Sequence, residues 1–195
     1  MISRFNYLNK INDDDYIIRG GWMSIRLATQ SDFDIIMDNY RVMTEYPGQV
    51  EAGAGWVLGI YPDETMIQEA INLKQYYVFE LEDKICGGMI INEAYTEGYE
   101  KANWQIQADE GEFISIHALG VMPNARGKGI AKALVQFAQA YGNKRNYKAI
   151  RIDVYGVNRA GKKLYPATGF VLVDTIELYY EDTGLAEYLM YEYII

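Results

Sequence analysis

The chain has 195 residues, half of them hydrophobic, and a formal net charge of −9. This length suits one domain with a sizeable core. The negative charge argues against a general nucleic-acid-binding protein, because such proteins hold phosphates mainly through cations. We therefore expect a globular domain that has no nucleic-acid partner.

Cysteine and histidine are scarce. One cysteine, Cys86, excludes an internal disulfide, and with a single histidine the chain has no Cys/His cluster for zinc, so we predict no metal. Cys86 is expected to be a small buried hydrophobe. The apolar runs are much shorter than a membrane span, and the N-terminus lacks the apolar segment of a signal peptide. We expect a cytoplasmic protein without membrane contact.

Residues 1–22 differ in pattern from the rest of the chain. They show little periodicity and carry the acidic run Asp13-Asp14-Asp15, whereas strand-like patterning starts at Met23. We therefore expect a domain over residues 23–195 and an N-terminal extension over residues 1–22. An interface arm and a passive extension fit the composition of that extension equally well.

The next segments alternate between strand and helix patterns. Residues 25–28 predict a strand, and residues 33–45 predict an amphipathic helix. A second helix is predicted to open at Pro62, where the acidic residues that follow suit the helix dipole. Two strands around the turn Glu82-Asp83-Lys84 predict an antiparallel hairpin, and "FISIHALGV" predicts a further strand.

The second half predicts a helix over residues 129–141 with Gly142 as its C-cap, and then the strand "AIRIDVY". A short helix follows with Asn158 as its N-cap, and two closing strands form a hairpin. This order predicts an α/β fold (an α+β mixed sheet), antiparallel first, with one parallel βαβ crossover.

The stretch "VMPNARGKGIAKAL", residues 121–134, places two glycines and two cations at the mouth of a helix. A helix N-terminus presents unpaired backbone N–H groups and a positive dipole end, which together bind phosphate. Gly127 and Gly129 let the backbone approach closely, and Arg126 and Lys128 add attraction. The stretch indicates a phosphate cradle, and the alternative is a turn that only caps the helix.

Two nucleotide motifs are less suitable for this loop. A P-loop is excluded because Met122 stands where its first glycine belongs and Gly129 where Ser or Thr belongs. A dinucleotide fingerprint fits the two glycines and Asp153, but its third glycine is replaced by Lys132. A dinucleotide-dependent oxidoreductase is therefore kept only as a competing hypothesis.

The same loop resembles motif A of the GNAT superfamily of N-acetyltransferases, which is Arg/Gln-x-x-Gly-x-Gly/Ala after a strand. Residues 150–170 resemble motif B of that family. The matching positions are Arg126, Gly129 and Ala131 in motif A, and Asn158, Ala160, Leu164, Tyr165, Gly169 and Phe170 in motif B. The resemblance covers residues 23–195. It implies a mostly antiparallel central sheet with a parallel βαβ crossover, splayed central strands and helices on both faces.

The resemblance implies acetyl-coenzyme A (acetyl-CoA) as cosubstrate. Its pyrophosphate would lie on the backbone amides of the loop, and its pantetheine arm would pair near Leu119 and Val121 and be held by Asn158. The loop residues concerned are Arg126, Gly127, Lys128, Gly129, Ile130 and Ala131. The implied reaction is direct attack of a primary amine on the thioester in a ternary complex, without a covalent enzyme intermediate.

This reaction needs a base for the amine proton. His117 is the only histidine, its ordinary pKa is nearest to neutral pH, and its strand resembles one on which family members carry proton-relay histidines. Glu112 acting through water is the runner-up, and Asp109 and Glu110 are further candidates. The alternative for His117 is a packing role in the core.

The reaction also needs a proton donor for the thiolate and a partner for the oxyanion. Tyr165 matches the family tyrosine near the coenzyme A sulfur and is predicted to donate a proton there; the alternative is an amphipathic core tyrosine. A backbone N–H near Leu119 is expected to meet the oxyanion.

The acceptor is less defined by the sequence. An acidic protein with aromatic walls suits a small cationic amine, and Trp56 is a candidate wall residue. A protein N-acetyltransferase and a catalytically silent coenzyme A-binding sensor or interaction domain are the alternatives. A homodimer through the C-terminal strands or through residues 1–22 is a further expectation.

Overall fold

The computed structural model describes residues 8–10, 16–18, 23–47 and 53–195. Within these residues nine strands form one sheet in the order β1-β2-β3-β4-β5-β6-β7-β9-β8. The strands are β1 (Leu8–Lys10), β2 (Tyr16–Ile18), β3 (Met23–Leu27), β4 (Tyr76–Leu81), β5 (Lys84–Asn92), β6 (Phe113–Val121), β7 (Ala149–Tyr155), β8 (Val171–Tyr180) and β9 (Gly184–Ile194). The helices are α1 (Phe33–Thr44), α2 (Glu64–Asn72), α3 (Ile130–Lys144) and α4 (Arg159–Ala167).

The described strand pairs are antiparallel except for β6 and β7, which are parallel and joined through α3. The predicted mixed sheet with one parallel crossover is confirmed. Strands β1 and β2 lie within the predicted extension; β1 pairs with β2, and β2 pairs with β3. The acidic run of residues 13–15 lies outside the described residues, and the domain boundary near Met23 stays a prediction.

Helices cover both faces of the sheet, because side chains on a strand alternate between its faces. On β4, Tyr76 and Val78 pack into the apolar cluster that α1 and α2 cover. Tyr77 and Phe79 pack into the cluster that α3 covers. This two-sided burial explains why β4 is an apolar run, with Tyr77, Val78 and Phe79 at most 1% exposed.

The centre of the sheet is forked. Strands β6 and β7 are paired only from Phe113–Ser115 to Ala149–Arg151, and beyond these residues they diverge. Strand β6 also carries a bulge. Gly120 pairs with Gly88 and His117 pairs with Ile90, so β6 advances three residues where β5 advances two. The predicted splay of the central strands is therefore present.

A buried ion pair lies at the base of the fork. The Nε of Arg151 donates to Oε1 of Glu192 at 3.0 Å, and both residues are at most 5% exposed. Glu192 also accepts from the backbone N–H of Gln105 at 2.6 Å, and Arg151 donates to the carbonyl of Ile106 at 2.9 Å. The guanidinium lies 4.5 Å from the ring centre of Trp104. The pair therefore joins β7, β9 and the loop before β6.

Two predicted helix boundaries were wrong by two residues or more. Helix α3 continues through Gly142 to Lys144. Gly142 serves close packing, because a Cβ there would meet Cδ1 of Ile195 at 2.5 Å. Helix α2 begins at Glu64 after its N-cap Asp63, whose side chain accepts from the N–H of Met66 at 2.9 Å. No helix in the described part of the chain is long and apolar enough to span a membrane.

Glu192→Gln should lower the free energy of unfolding by about 3 kcal/mol, because it leaves the buried charge of Arg151 without its counter-charge. Chemical denaturation monitored by circular dichroism measures this change. Asp38→Asn is the matched control, since it breaks the exposed pair with Arg41 and should change stability by less than about 1 kcal/mol. Equal losses in the two variants would contradict the role assigned to the buried pair.

Candidate active site

A cavity of about 410 Å³ opens where β6 and β7 diverge. Its walls come from both strands, from the loop before α2, from the starts of α3 and α4, and from the β8–β9 hairpin. The predicted site residues that line it are His117, Leu119, Val121, Arg126, Ala131, Asn158 and Tyr165. The fork therefore brings together residues that are up to 48 positions apart in the sequence, from His117 to Tyr165.

The glycine-rich turn connects two lining residues, Arg126 and Ala131. Gly127 and Gly129 have φ of +79° and +83°, and a Cβ on either would meet nothing within 4 Å. The left-handed backbone explains why glycine is favoured here. The open space on the same side leaves the first amides of α3, which have no intrahelical acceptor, accessible to an anion.

The remaining residues of the turn differ in what they can offer a ligand. Ile130 is buried in the core, so only its backbone amide is available. Lys128 is exposed. The guanidinium of Arg126 lies 5.0 Å from the ring centre of Tyr46, and its Nε donates to the carbonyl of Val121 at 3.3 Å. These contacts hold one cation beside the turn.

The edge of β6 that faces the fork can pair with an extended ligand. Beyond Ser115, β6 has no pairing with β7, while its other edge stays paired with β5 as far as Val121. Leu119 and Val121 lie on this part of β6 and line the cavity. Asn158 stands across the fork, where its Oδ1 accepts from the N–H of Gly161 at 2.9 Å as the N-cap of α4.

Tyr165 lies on α4 and lines the cavity. It is 6% exposed, and its ring lies 5.4 Å from that of Phe170 and 5.9 Å from that of Tyr191. Its hydroxyl makes no hydrogen bond to the described residues. Burial, with a further contribution from Asp153, raises the pKa of Tyr165. The phenol therefore keeps its proton at neutral pH.

His117 is held in one tautomer. Its Nε2 lies 3.1 Å from the carbonyl oxygen of Ala94, and a carbonyl can only accept, so Nε2 carries the proton. The neutral ring then has an unprotonated Nδ1. Burial lowers the pKa of His117 below its ordinary value of 6.5, against the opposing effects of Asp153 and the Ala94 carbonyl. The imidazole is therefore neutral at pH 7.

The structure does not bring the acidic candidates for the base to this cavity. Glu112 precedes β6, where it accepts from Nζ of Lys148 at 2.5 Å and from the N–H of Asp109 at 2.9 Å. The bond with Lys148 lowers the pKa of Glu112, which makes it a weaker base. Glu112, Asp109 and Glu110 are absent from the lining residues. The first half of β6 separates Glu112 from His117.

Asp153 was not expected among the catalytic residues, but it lies in the cavity opposite β6. Its carboxylate accepts hydrogen bonds from the hydroxyls of Tyr99 and Tyr180. The described residues offer it no ion pair. The sequence held one indication of this role, because Asp153 is a charged residue between the apolar Ile152 and Val154 in a predicted strand. Both of these neighbours are buried in the structure.

Aromatic side chains and a second carboxylate complete the walls. They come from the loop before α2, from β7 and from the β8–β9 hairpin, and they are Trp56, Tyr61, Tyr155, Tyr180, Asp182 and Tyr188. Of these, Trp56 was predicted from the sequence as a wall residue. In the described part of the chain, no group of three or more His, Cys, Asp or Glu side chains could hold a metal ion.

The sequence model of the Acetyltransferase (GNAT) family matches residues 39–170, which is more than half of the chain. A search of curated proteins found no match.

Solved structures similar to this one include an acetyltransferase of the GNAT family from Streptococcus agalactiae 2603, with a TM-score of 0.69, 20% identity and coverage of 89% of this chain and 95% of that one. NAA60 from Arabidopsis thaliana in complex with acetyl-CoA has a TM-score of 0.67 at 18% identity, covering 89% and 99% of the two chains. Ribosomal-protein-alanine N-acetyltransferase from Brucella melitensis has a TM-score of 0.65 at 18% identity, covering 88% and 99%.

These structural likenesses support the fold, and the family model covers both the glycine-rich turn and the tyrosine of α4. The chain belongs to the GNAT family of acetyltransferases.

Proposed function

We propose that the chain transfers the acetyl group of acetyl-CoA to the primary amine of a small molecule by direct attack in a ternary complex. The observation that carries this proposal is the fork between β6 and β7. The cavity in this fork is lined by Arg126 and Ala131 from the glycine-rich turn, and by His117, Asp153 and Tyr165. A donor and an acceptor can therefore meet in one enclosed space.

The donor is acetyl-CoA, and the residues present fit it. The amides at the start of α3 bind the pyrophosphate, and the unpaired edge of β6 at Leu119 and Val121 pairs with the pantetheine arm. Asn158 uses its amide oxygen as a helix cap, which leaves its amide nitrogen to donate to that arm. The thioester is thereby directed along the fork toward His117 and Tyr165.

His117 is the base in this proposal. Nδ1 of His117 takes the proton of the amine, directly or through water, and the amine nitrogen attacks the thioester carbon. The C–N bond forms, the C–S bond breaks, and the thiolate receives the proton of Tyr165. The Tyr165 phenolate then takes the second proton of the attacking nitrogen, and His117 releases its proton to solvent. Because burial and Asp153 raise the pKa of Tyr165, its proton is present throughout the neutral pH range.

The acceptor is a cationic amine. Asp153 and Asp182 place two carboxylates among aromatic rings, and such a surface attracts an ammonium group before it is deprotonated. Tyr61 and Tyr188 lie within the electrostatic reach of both carboxylates, so the two acids serve one part of the cavity. A protein N-terminus is the second candidate, because two of the similar structures are NAA60 and a ribosomal-protein-alanine N-acetyltransferase.

Isothermal titration with acetyl-CoA, with NADH as control, should show binding of acetyl-CoA alone. Release of free thiol should then follow on addition of small cationic primary amines, and should be slower with neutral amines of equal length. If thiol is released only with peptides that have a free N-terminus, the acceptor is a protein and not a small molecule. Binding without release on any amine would indicate a sensor.

Gly129→Val tests the turn within the same experiment. It should weaken acetyl-CoA binding at least tenfold, about 1.4 kcal/mol, because the side chain enters the open space above the amides. Gly184→Val is the matched control, since Gly184 also has a left-handed φ of +66° and no atom within 4 Å of a Cβ. Both variants carry similar backbone strain, and only the first should change the affinity.

His117→Gln should lower kcat at neutral pH by about 100-fold, the lower end of the effect of a general base. In the wild type, kcat should fall only as the pH drops through the pKa of His117, which lies below 6.5. The variant should lack this acidic limb. A pH profile of kcat, with circular dichroism at each pH as a check of folding, measures both effects. If the acidic limb of the kcat profile keeps its pH position in the variant, a group other than His117 is the base.

Tyr165→Phe should lower kcat by about 100-fold and leave the Kd of acetyl-CoA within about threefold, because only the departing thiolate loses its proton donor. Steady-state kinetics and titration measure the two quantities. Tyr193→Phe is the matched control, since its ring packs on Phe170 at the same 5.4 Å as that of Tyr165 but lies outside the cavity lining. A similar loss of kcat in both variants would show that the effect comes from packing.

A further inference from the structure

Ala118 has a backbone conformation that is unusual for a strand residue with a side chain. It lies at the bulge of β6 with φ of +50°, in the left-handed region that residues other than glycine rarely adopt. Such a conformation persists only where the surroundings hold it in place. Hydrogen bonds to the backbone carbonyl and N–H of Ala118 hold it in this conformation.

Two tyrosine hydroxyls bind the peptide groups of Ala118. Its carbonyl accepts from the hydroxyl of Tyr40 at 2.5 Å, and its N–H donates to the hydroxyl oxygen of Tyr61 at 3.0 Å. The ring of Trp56 packs edge-on against both tyrosines, at 5.8 Å and 6.0 Å between ring centres. We call these four residues, Ala118, Tyr40, Trp56 and Tyr61, the Ala118 clamp.

The two tyrosines of the Ala118 clamp use their hydroxyls differently. Tyr40 donates its single proton to Ala118, and its oxygen accepts from Tyr76 at 3.0 Å. The oxygen of Tyr61 accepts from Ala118, but its own proton has no acceptor among the described residues. Tyr61 lines the cavity, whereas Tyr40 and Tyr76 do not. The clamp therefore holds one hydroxyl proton ready for a partner inside the cavity.

The position of Tyr61 is near the reacting groups. Asp153 and Tyr165 both lie within electrostatic reach of its hydroxyl, and the two oxygens of Asp153 already accept from Tyr99 and Tyr180. Burial raises the pKa of Tyr61, so its hydroxyl stays protonated. A donor at this place is adjacent to the strand residues that are expected to hold the thioester.

We propose that Tyr61 is a catalytic residue whose hydroxyl donates a hydrogen bond to the carbonyl oxygen of the thioester. This inference rests on the proposed use of acetyl-CoA as donor. When the amine attacks the carbonyl carbon, the electron pair of the C=O bond moves to the oxygen, and Tyr61 stabilises that charge without giving up its proton. The tetrahedral species then reforms C=O and releases the thiolate. The Ala118 clamp thus adds a side-chain donor to the backbone N–H expected near Leu119.

The test is isotope-edited infrared spectroscopy of acetyl-CoA labelled with ¹³C at the thioester carbonyl. Bound to the wild type, the carbonyl stretch should move to lower frequency than in free acetyl-CoA, because a hydrogen bond weakens C=O. In Tyr61→Phe the stretch should return toward the free value. The variant's kcat should fall by about 10²-fold, while its KM for acetyl-CoA stays within about threefold.

Tyr76→Phe is the matched control, because it removes a hydroxyl from the same chain of hydrogen bonds outside the cavity. It should keep the lowered carbonyl frequency, and thermal unfolding of both variants measures any structural cost. Fluorotyrosine at position 61, which keeps the shape and donates more strongly, should lower the frequency further.

Three outcomes would overturn the inference. They are a wild-type carbonyl frequency equal to that of free acetyl-CoA, an unchanged frequency in Tyr61→Phe, and equal frequency changes in Tyr61→Phe and Tyr76→Phe. Because the spectrum needs no acceptor amine, these outcomes leave the proposed function standing. Absence of acetyl-CoA binding to the wild type would instead remove the proposed function together with the inference.

Discussion

The short parallel pairing of β6 and β7 is the constraint on which the rest of the site depends. The two strands are hydrogen-bonded over three residues each and then diverge, so the unpaired backbone of β6 becomes a wall of the cavity. At the base of the fork, the Arg151–Glu192 pair links β7, β9 and the loop before β6. Above it, the bulge at Ala118 turns β6 away from a regular ladder. Without this divergence, the sheet would fill the space in which donor and acceptor meet.

Electrostatics divide the cavity into two parts. The chain has a net charge of −9, yet its proposed donor is a polyanion. The proposed phosphate site, the turn from Arg126 to Ala131, does not require a basic protein, since backbone amides and the helix dipole attract phosphate. In the other part, Asp153 and Asp182 form the proposed site for a cationic amine. Tyr61 and Tyr165 stay protonated and uncharged in this part. They can therefore donate hydrogen bonds, but they add no positive charge that would compete with the turn for the phosphates.

The sequence predicted local structure most accurately where that structure depends only on residues of one strand or helix. The bounds of β6 and β7 were predicted residue for residue, and the side chain of Asn158 caps α4 as predicted. The end of α3 was predicted wrongly, because Gly142 has the composition of a cap but the role of a packing contact with Ile195. Glu112 was a reasonable base by residue type. Its distance from the cavity follows from its position before β6, where Lys148 binds it.

The sequence by itself determined the order of the elements, the glycine-rich turn at the start of a helix and the motif tyrosine of α4, because these depend on periodicity and on the conformations of neighbouring residues. Only the tertiary structure decided that Asp153 lies opposite His117 and that Tyr40, Trp56 and Tyr61 enclose Ala118. Those interactions join residues that are 36 to 78 positions apart in the sequence. Their distances are determined by how far β6 and β7 diverge and by how the loop before α2 folds over them. No pattern within a single segment carries that information.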